Sequence, residues 1–287
     1  MFPAGVSLII LYQGTNSGLM TGSSSRIIKK IEKEVVVMEY GLIGEKLGHS
    51  FSKEIHEKLA DYSYELHPLT KEEFPVFMKS GAFKAINVTI PYKQDVIPYL
   101  DEIDENAKEI GAVNTIVNIN GRLTGHNTDF NGFLYTLAHN QIPVEEKKII
   151  VLGNGGASKA IIAVLKYLKA KEIVIVNRTI KDGVITYEEC YKNHLDGEVI
   201  INTTPAGMYP DVDASPLDLL PFKKCRYVID IIYNPLKTKF LLQGESLGKK
   251  TVNGLEMLIA QAKYAVEYFL DTKIEDSSID KIYRDYF

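Results

Sequence analysis

Lys147-Lys148-Ile149-Ile150-Val151-Leu152-Gly153-Asn154-Gly155-Gly156-Ala157-Ser158 is the stretch on which the fold turns. Ile149 to Leu152 run apolar without polar alternation, the mark of a parallel strand buried on both faces. Three glycines follow, then a stretch of helical periodicity from Lys159 to Lys169 and a second buried strand, Glu172-Ile173-Val174-Ile175-Val176. A glycine-rich turn that opens a helix aims backbone N–H groups and the positive end of the helix dipole at one spot, where a pyrophosphate binds. Gly153 permits the tight turn, and Gly155 lets a ligand approach the backbone. Ser158 stands where Gly or Ala is usual and is small enough for close helix–strand contact. Alone, such a turn is as readily structural; between two buried strands at this distance it reads as a dinucleotide site.

Further strands at Glu198 to Asn202, Tyr227 to Ile231 and Lys250-Thr251-Val252 extend this unit into an open parallel sheet. The second strand ends in Asn177-Arg178-Thr179. NAD-binding folds place an acid there for the ribose hydroxyls, whereas the planar charged fork of Arg178, with neutral bonds from Asn177 and Thr179, suits a 2′-phosphate. The residues therefore favour NADP, with NAD the lesser alternative. Asp182 brings a negative charge close by, and the segment from Thr179 to Tyr187 has no room for a full crossover helix, so the adenine side is expected to be open and the preference less strict.

On the N-terminal side, Tyr40 to Ile43, Ser63 to Leu66, Ala85 to Ile90 and Thr115 to Asn118 read as strands. Ser52 to Leu59, Lys71 to Ser80 and Asp101 to Ile110 carry helical spacing. The expected class is α/β in two domains, a substrate-binding domain with a mixed sheet (38–128 plus 254–287) and a Rossmann-type parallel-sheet domain for NADP (129–253). The last long helix, Leu255 to Phe269, is expected to return to the first domain and lock the halves together. Residues 1–37, with Gly14 to Gly18 and Gly22 to Ser25, match nothing that follows and are expected to be a leader outside the folded protein.

The chain has 287 residues, 45% hydrophobic content and a net charge of −4. That is enough apolar material for two cores, and no basic face advertises nucleic acid or an anionic membrane. The apolar run from Val6 to Tyr12 is too short to span a bilayer. Cys190 and Cys225 lie far apart, and the six histidines are scattered, so neither a disulfide framework nor a metal site is indicated. His126 is expected on an exposed loop. A cytoplasmic protein acting on a small molecule fits these numbers, as a monomer or homodimer.

Two further stretches bear on chemistry. Asn87-Val88-Thr89-Ile90-Pro91-Tyr92-Lys93 reads as a strand whose end delivers a hydroxyl and an amine to one polar site. Gly48-His49-Ser50-Phe51-Ser52 sets two hydroxyls two residues apart near a helix start, where they can share a carboxylate, although Ser52 is equally a helix cap.

With Ala112-Val113-Asn114-Thr115, Asn127-Thr128-Asp129, the run from Asp230 to Thr238 that holds Tyr233, and Gly254 to Ala262, these stretches closely resemble shikimate dehydrogenases, in order from Met38 to about Ala265. The resemblance implies reversible NADP-dependent reduction of 3-dehydroshikimate to shikimate, in the chorismate route to aromatic amino acids. It implies Lys93 and Asp129 as the catalytic pair. Ser50, Ser52 and Tyr233 would hold the substrate carboxylate; Thr89, Asn114 and Gln261 would hold its ring hydroxyls. Gly153, Asn154, Gly155, Gly156 and Ala157 would take the pyrophosphate, and Asn177, Arg178 and Thr179 the 2′-phosphate. Gly254, with the Ile231 backbone, would lie near the nicotinamide. Asn87 is expected to support the strand end rather than touch substrate. Lys53 stands where the family usually has Pro and is expected to loosen the loop that carries Ser50 and Ser52. A hydride transfer at a ring carbon needs a proton moved on or off the attached oxygen, and Lys93 is the candidate for that task. Two rivals stay open: a quinate/shikimate dehydrogenase that uses NAD, and a catalytically silent dinucleotide-binding sensor.

Overall fold

The structure, a computed structural model, describes residues 38–48, 50–179 and 183–286. The leader expected at 1–37 and the charge of Asp182 lie outside the described residues. Twelve strands among the described residues form two six-stranded sheets.

The first sheet holds β1 (Met38–Gly44), β2 (Tyr64–Pro68), β3 (Phe83–Val88), β4 (Glu102–Ile103), β5 (Thr115–Ile119) and β6 (Arg122–His126), in the order β2-β1-β3-β5-β6-β4. β1 pairs in parallel with β2 and β3, whereas β5 is antiparallel to both β3 and β6, so the sheet is mixed. Helices α1 (Ser52–Leu59), α2 (Glu73–Ser80) and α3 (Glu105–Ile110) connect its strands.

The second sheet is parallel throughout: β7 (Lys148–Leu152), β8 (Glu172–Val176), β9 (Val184–Ile185), β10 (Val199–Asn202), β11 (Tyr227–Asp230) and β12 (Lys250–Val252). Its order, β9-β8-β7-β10-β11-β12, reverses direction between β7 and β10, where open α/β sheets bind ligands beyond the carboxyl ends of their strands. Around it run α4 (Thr128–His139), α5 (Gly156–Tyr167), α6 (Tyr187–Asn193) and α7 (Lys239–Ser246). Ile149, Val151, Ile201 and Ile229 point to one core face, and Ile150, Leu152, Ile200 and Val228 to the other, which accounts for the unbroken apolar runs.

The chain passes from the first sheet to the second through α4 and returns through α8 (Leu255–Leu270), followed by α9 (Ser277–Arg284). Gly132 lets α4 and α8 meet at backbone distance, since a Cβ there would stand 2.8 Å from the Met257 carbonyl oxygen. Beyond that crossing, Ala265 and Phe269 of α8 pack on Leu42, Tyr64 and Ala85 of the first sheet.

Three expectations shift. The helix expected from Asp101 starts at Glu105, because the Asp104 carboxylate accepts from the Ala107 N–H and caps it while Glu102 and Ile103 pair with β6. β3 ends at Val88: the Thr89 N–H makes the last ladder bond, to the Ile43 carbonyl, and the Thr89 carbonyl then accepts the Tyr92 N–H in a turn. The helix after the glycine turn opens at Gly156 rather than Lys159. Among the described residues, no helix is long and apolar enough to cross a membrane, and no cluster of His, Cys, Asp or Glu has metal-site geometry.

Candidate active site

Three chain ends of the first sheet interlock into one polar cluster. The Val88 N–H donates to the Asn114 carbonyl (2.8 Å), the Asn114 N–H to the His126 carbonyl (3.0 Å), and the Val113 N–H to the Lys93 carbonyl (2.8 Å). These bonds bring the ends of β3, β5 and β6 together, so residues far apart in sequence share one site.

Asp129 lies in the first turn of α4, where the helix dipole favours a carboxylate, and Asn127 caps that helix through the Phe130 N–H. Lys93 Nζ donates to Asp129 Oδ2 at 2.6 Å, with the two side chains only 15% and 11% exposed. Asn114 Nδ2 donates to Asp129 Oδ1 at 3.0 Å. An ammonium and an amide thus hold both carboxylate oxygens, and the amine keeps a small exposed remainder from which it can reach a ligand. Lys93, Asp129 and Asn114 are brought together as one bonded group.

Ser50 and Ser52 are half-buried at the start of α1, and Ser50 Oγ accepts the Ser52 N–H at 3.2 Å. The residue at the helix-capping position is Phe51, whose side chain makes no cap, so Ser52 is the first residue of the helix rather than its cap. The Phe51 ring lies 5.4 Å from that of Tyr233, which places Tyr233 at the same turn. Lys53, at the position expected to loosen this turn, donates its ammonium to the Tyr64 carbonyl (2.7 Å) and to Glu57 (2.8 Å), tying α1 to β2. Gln261 sits on α8 where that helix touches α4 at Gly132, one turn from Asp129. Thr89 is half-buried just past β3. Asn87 is buried beneath this group, bonded to Tyr64, Thr115 and the Asn114 carbonyl. His126 is not exposed: its ring bonds to Asp104 at 2.7 Å and stacks on Tyr268 at 3.9 Å.

The dinucleotide candidates line the carboxyl edge of the second sheet. Gly153 has φ +105°, and a Cβ there would meet Thr203 Oγ1 at 2.6 Å, so only glycine fits between β7 and the loop after β10. Ser158 is fully buried and donates to the Gly153 carbonyl (3.0 Å), which closes the turn and explains a hydroxyl at that position. Around Gly155 and Gly156 the space where a Cβ would stand is open, and no side chain caps α5. Its first N–H groups are therefore free for an anion, and this cradle fits a pyrophosphate. Asn177 Oδ1 accepts the Arg178 N–H at 2.7 Å and shapes the turn that exposes Arg178 and Thr179. In place of a crossover helix, β9 pairs directly with β8. Gly254 meets the Ile231 backbone, so those two residues, distant in sequence, lie in contact.

Sequence reading missed two groups. Thr115 and Thr128 are fully buried beside Asn114, and Thr203 and Thr204 edge the loop at the switch point. Hydroxyls directly after buried strands, as in Asn202-Thr203-Thr204, were the available signal.

Comparison with known proteins bears on the same elements. Residues 42–116 match the model of the shikimate dehydrogenase substrate binding domain, and residues 136–197 that of shikimate / quinate 5-dehydrogenase. The shikimate dehydrogenase (NADP(+)) of Clostridium beijerinckii is 42% identical over 261 residues, 85% of this chain and 96% of that protein. A chorismate mutase/shikimate 5-dehydrogenase fusion protein from Clostridium acetobutylicum superposes with a TM-score of 0.83 at 39% identity, covering 87% of this chain and 97% of that one. Shikimate 5-dehydrogenase from Thermus thermophilus, solved in complex with NADP(H) and shikimate, superposes with a TM-score of 0.78 at 29% identity over 87% of this chain and all of that one.

Proposed function

The chain belongs to the shikimate dehydrogenase family, NADP-dependent oxidoreductases that interconvert 3-dehydroshikimate and shikimate, and we propose that Lys93 and Asp129 carry the proton transfer of that reaction. The observation that supports this assignment is the half-enclosed 2.6 Å Lys93–Asp129 pair, steadied on its far side by Asn114.

When bound, the nicotinamide ring supplies or accepts the hydride. In the reducing direction Lys93 gives a proton from Nζ to the oxygen that develops negative charge; in the oxidising direction its neutral amine takes the hydroxyl proton. Asp129 orients Lys93 and accepts a bond from a neighbouring substrate hydroxyl. Ser50 and Ser52, with Tyr233 closing on the same turn, bind the carboxylate, helped by the positive end of α1. Thr89, Asn114 and Gln261 bind the ring hydroxyls and fix which carbon faces the cofactor. Gly153 to Ala157 hold the pyrophosphate, Asn177 to Thr179 the 2′-phosphate, and Gly254 with Ile231 flank the nicotinamide. The division into a substrate domain (38–128 plus 254–287) and a cofactor domain (129–253) is part of this reading.

The test is the initial rate of nicotinamide reduction with shikimate and with quinate, each with NADP and with NAD, on wild type and Lys93→Ala. Wild type is expected to prefer shikimate with NADP. Lys93→Ala is expected to lose about 10²–10⁴-fold in kcat, the range for a positioned acid/base, with KM little changed. Near-normal turnover of the variant removes Lys93 from the mechanism.

A further inference from the structure

We infer that Tyr64 and Thr115 are positioning residues for the acid/base pair, completing a buried hydrogen-bond chain that ends on Asp129 and whose direction two backbone groups fix. The inference rests on the assignment of Lys93 and Asp129 as that pair.

The chain starts at Tyr64, fully buried, whose hydroxyl donates to Asn87 Oδ1 at 2.7 Å. Asn87 Nδ2 donates to Thr115 Oγ1 at 3.0 Å, and Thr115 Oγ1 to Asn114 Oδ1 at 3.0 Å, with Thr128 Oγ1 3.2 Å from the Thr115 oxygen. Asn114 Nδ2 then donates to Asp129 Oδ1. Amide orientations are decided by their surroundings, and here two backbone groups decide both. The Asn114 carbonyl, 3.2 Å from Asn87, can only accept, so it must face Asn87 Nδ2; the Thr128 N–H, 2.7 Å from Asn114, can only donate, so it must face Oδ1. With both amides so fixed, the one place left for the Asn87 oxygen is a donor, and Tyr64 supplies it. Burial holds the Tyr64 phenol far above its ordinary range, so it stays a donor at any working pH.

Tyr64 also joins this chain to the helix that opens with Ser52. Its N–H donates to Glu57 (3.0 Å) and its carbonyl accepts from Lys53 (2.7 Å), both on that helix. His56 of the same helix stacks on the Tyr64 ring at 4.0 Å. The carboxylate-binding turn and the Lys93–Asp129 pair are thus referred to one rigid phenol. Thr115 is the link through which Tyr64 and Asn87 reach the Asn114 side chain. Neither residue touches the reacting atoms; both act through Asn114.

The experiment compares Tyr64→Phe, Thr115→Val, Thr115→Ser, the Tyr64→Phe/Thr115→Val double variant and Lys93→Ala for kcat and KM with shikimate and NADP, alongside thermal midpoints. Tyr64→Phe and Thr115→Val are each expected to lower kcat by about tenfold and to raise KM for shikimate by a smaller factor, because the lost bonds orient Asn114, which holds both Asp129 and a ring hydroxyl. Thr115→Ser, which keeps the hydroxyl, is expected to stay within about twofold of wild type. The double variant is expected to be no slower than the slower single, since one chain is broken twice. If Lys93→Ala is inactive while Tyr64→Phe and Thr115→Val keep wild-type kcat, the chain has no catalytic role and the acid/base reading stands. Additive losses, or a Ser variant as slow as Val, also overturn the inference; normal turnover in Lys93→Ala overturns both. Should Tyr64→Phe not fold, the Val/Ser pair at 115 decides.

Discussion

At Asp230 burial and charge pull against each other. It ends β11 fully buried, accepting bonds from Asn202 Nδ2 (3.0 Å), the Ile232 N–H (3.1 Å) and Thr238 Oγ1 (2.7 Å). It thereby ties β11 to β10 and to the start of α7. Burial raises its pKa from 3.8 to about 6, even though all three bonds pull it the other way. A carboxyl that holds its proton more tightly when folded makes the protein less stable as pH climbs from the unfolded value toward about 6, with no further change above. The shift of about two units corresponds to about 3 kcal/mol. Asp230→Asn keeps the shape and the acceptor oxygen and cannot ionise. Urea unfolding of both proteins from pH 4 to 8 is expected to show the variant gaining on wild type up to about pH 6 and holding a constant lead beyond; a lead that does not change with pH rejects this account.

At the scale of elements, the glycines of the two turns proposed to face the cofactor do different work. A Cβ on Gly254 would stand 1.9 Å from the Ile231 carbonyl oxygen, whereas around Gly155 nothing lies within 4 Å and φ is negative. Gly254→Ala is therefore expected to cost about 1–3 kcal/mol of stability by overpacking β11 against the start of α8. Gly155→Ala is expected to leave the unfolding midpoint unchanged and to raise KM for NADP about tenfold or more, because its methyl fills the space through which a pyrophosphate reaches the α5 N–H groups. Unfolding and steady-state kinetics on both variants separate the two effects, and a Gly155→Ala enzyme with normal KM removes that loop from cofactor binding.

The same contrast explains what could be read from sequence. β7, β8, β10 and β11 were legible because unbroken apolar runs have few other uses, and the glycine turn because a helix must open beside it. β6 was missed: Arg122-Leu123-Thr124-Gly125-His126 carries one large apolar residue, Leu123. Its signal was Asn120-Gly121, both at positive φ, the hairpin turn that joins β5 to β6. Lys93 and the serine pair were picked out as chemical groups from their motifs, and Asp129 through the family resemblance. The Tyr64–Asn87–Thr115 links were not, since they form only when β2, β3 and β5 are laid side by side, and nothing in a Tyr two residues after another Tyr announces a donor for a strand beyond its neighbour.

For the whole molecule, a ligand that binds the folded state alone raises stability by mass action, about 2.7 kcal/mol at a hundred times its Kd. Thermal midpoints with saturating NADP and NAD are therefore a measure of who reads the 2′-phosphate. Arg178→Ala is expected to shrink the NADP shift much more than the NAD shift. Equal losses would mean that the exposed Arg178 fork does not distinguish the two.

The return of α8 to the first sheet fixes an order of completion during synthesis. Residues 148–252 contain every strand of the parallel sheet, so that sheet has all its strands before residue 255 is made. The first sheet begins at Met38, yet the face formed by Leu42, Tyr64 and Ala85 has no cover from Ala265 and Phe269 until α8 leaves the ribosome. The half of the protein that starts first is finished last, and through that interval its apolar face is open to whatever else is nearby.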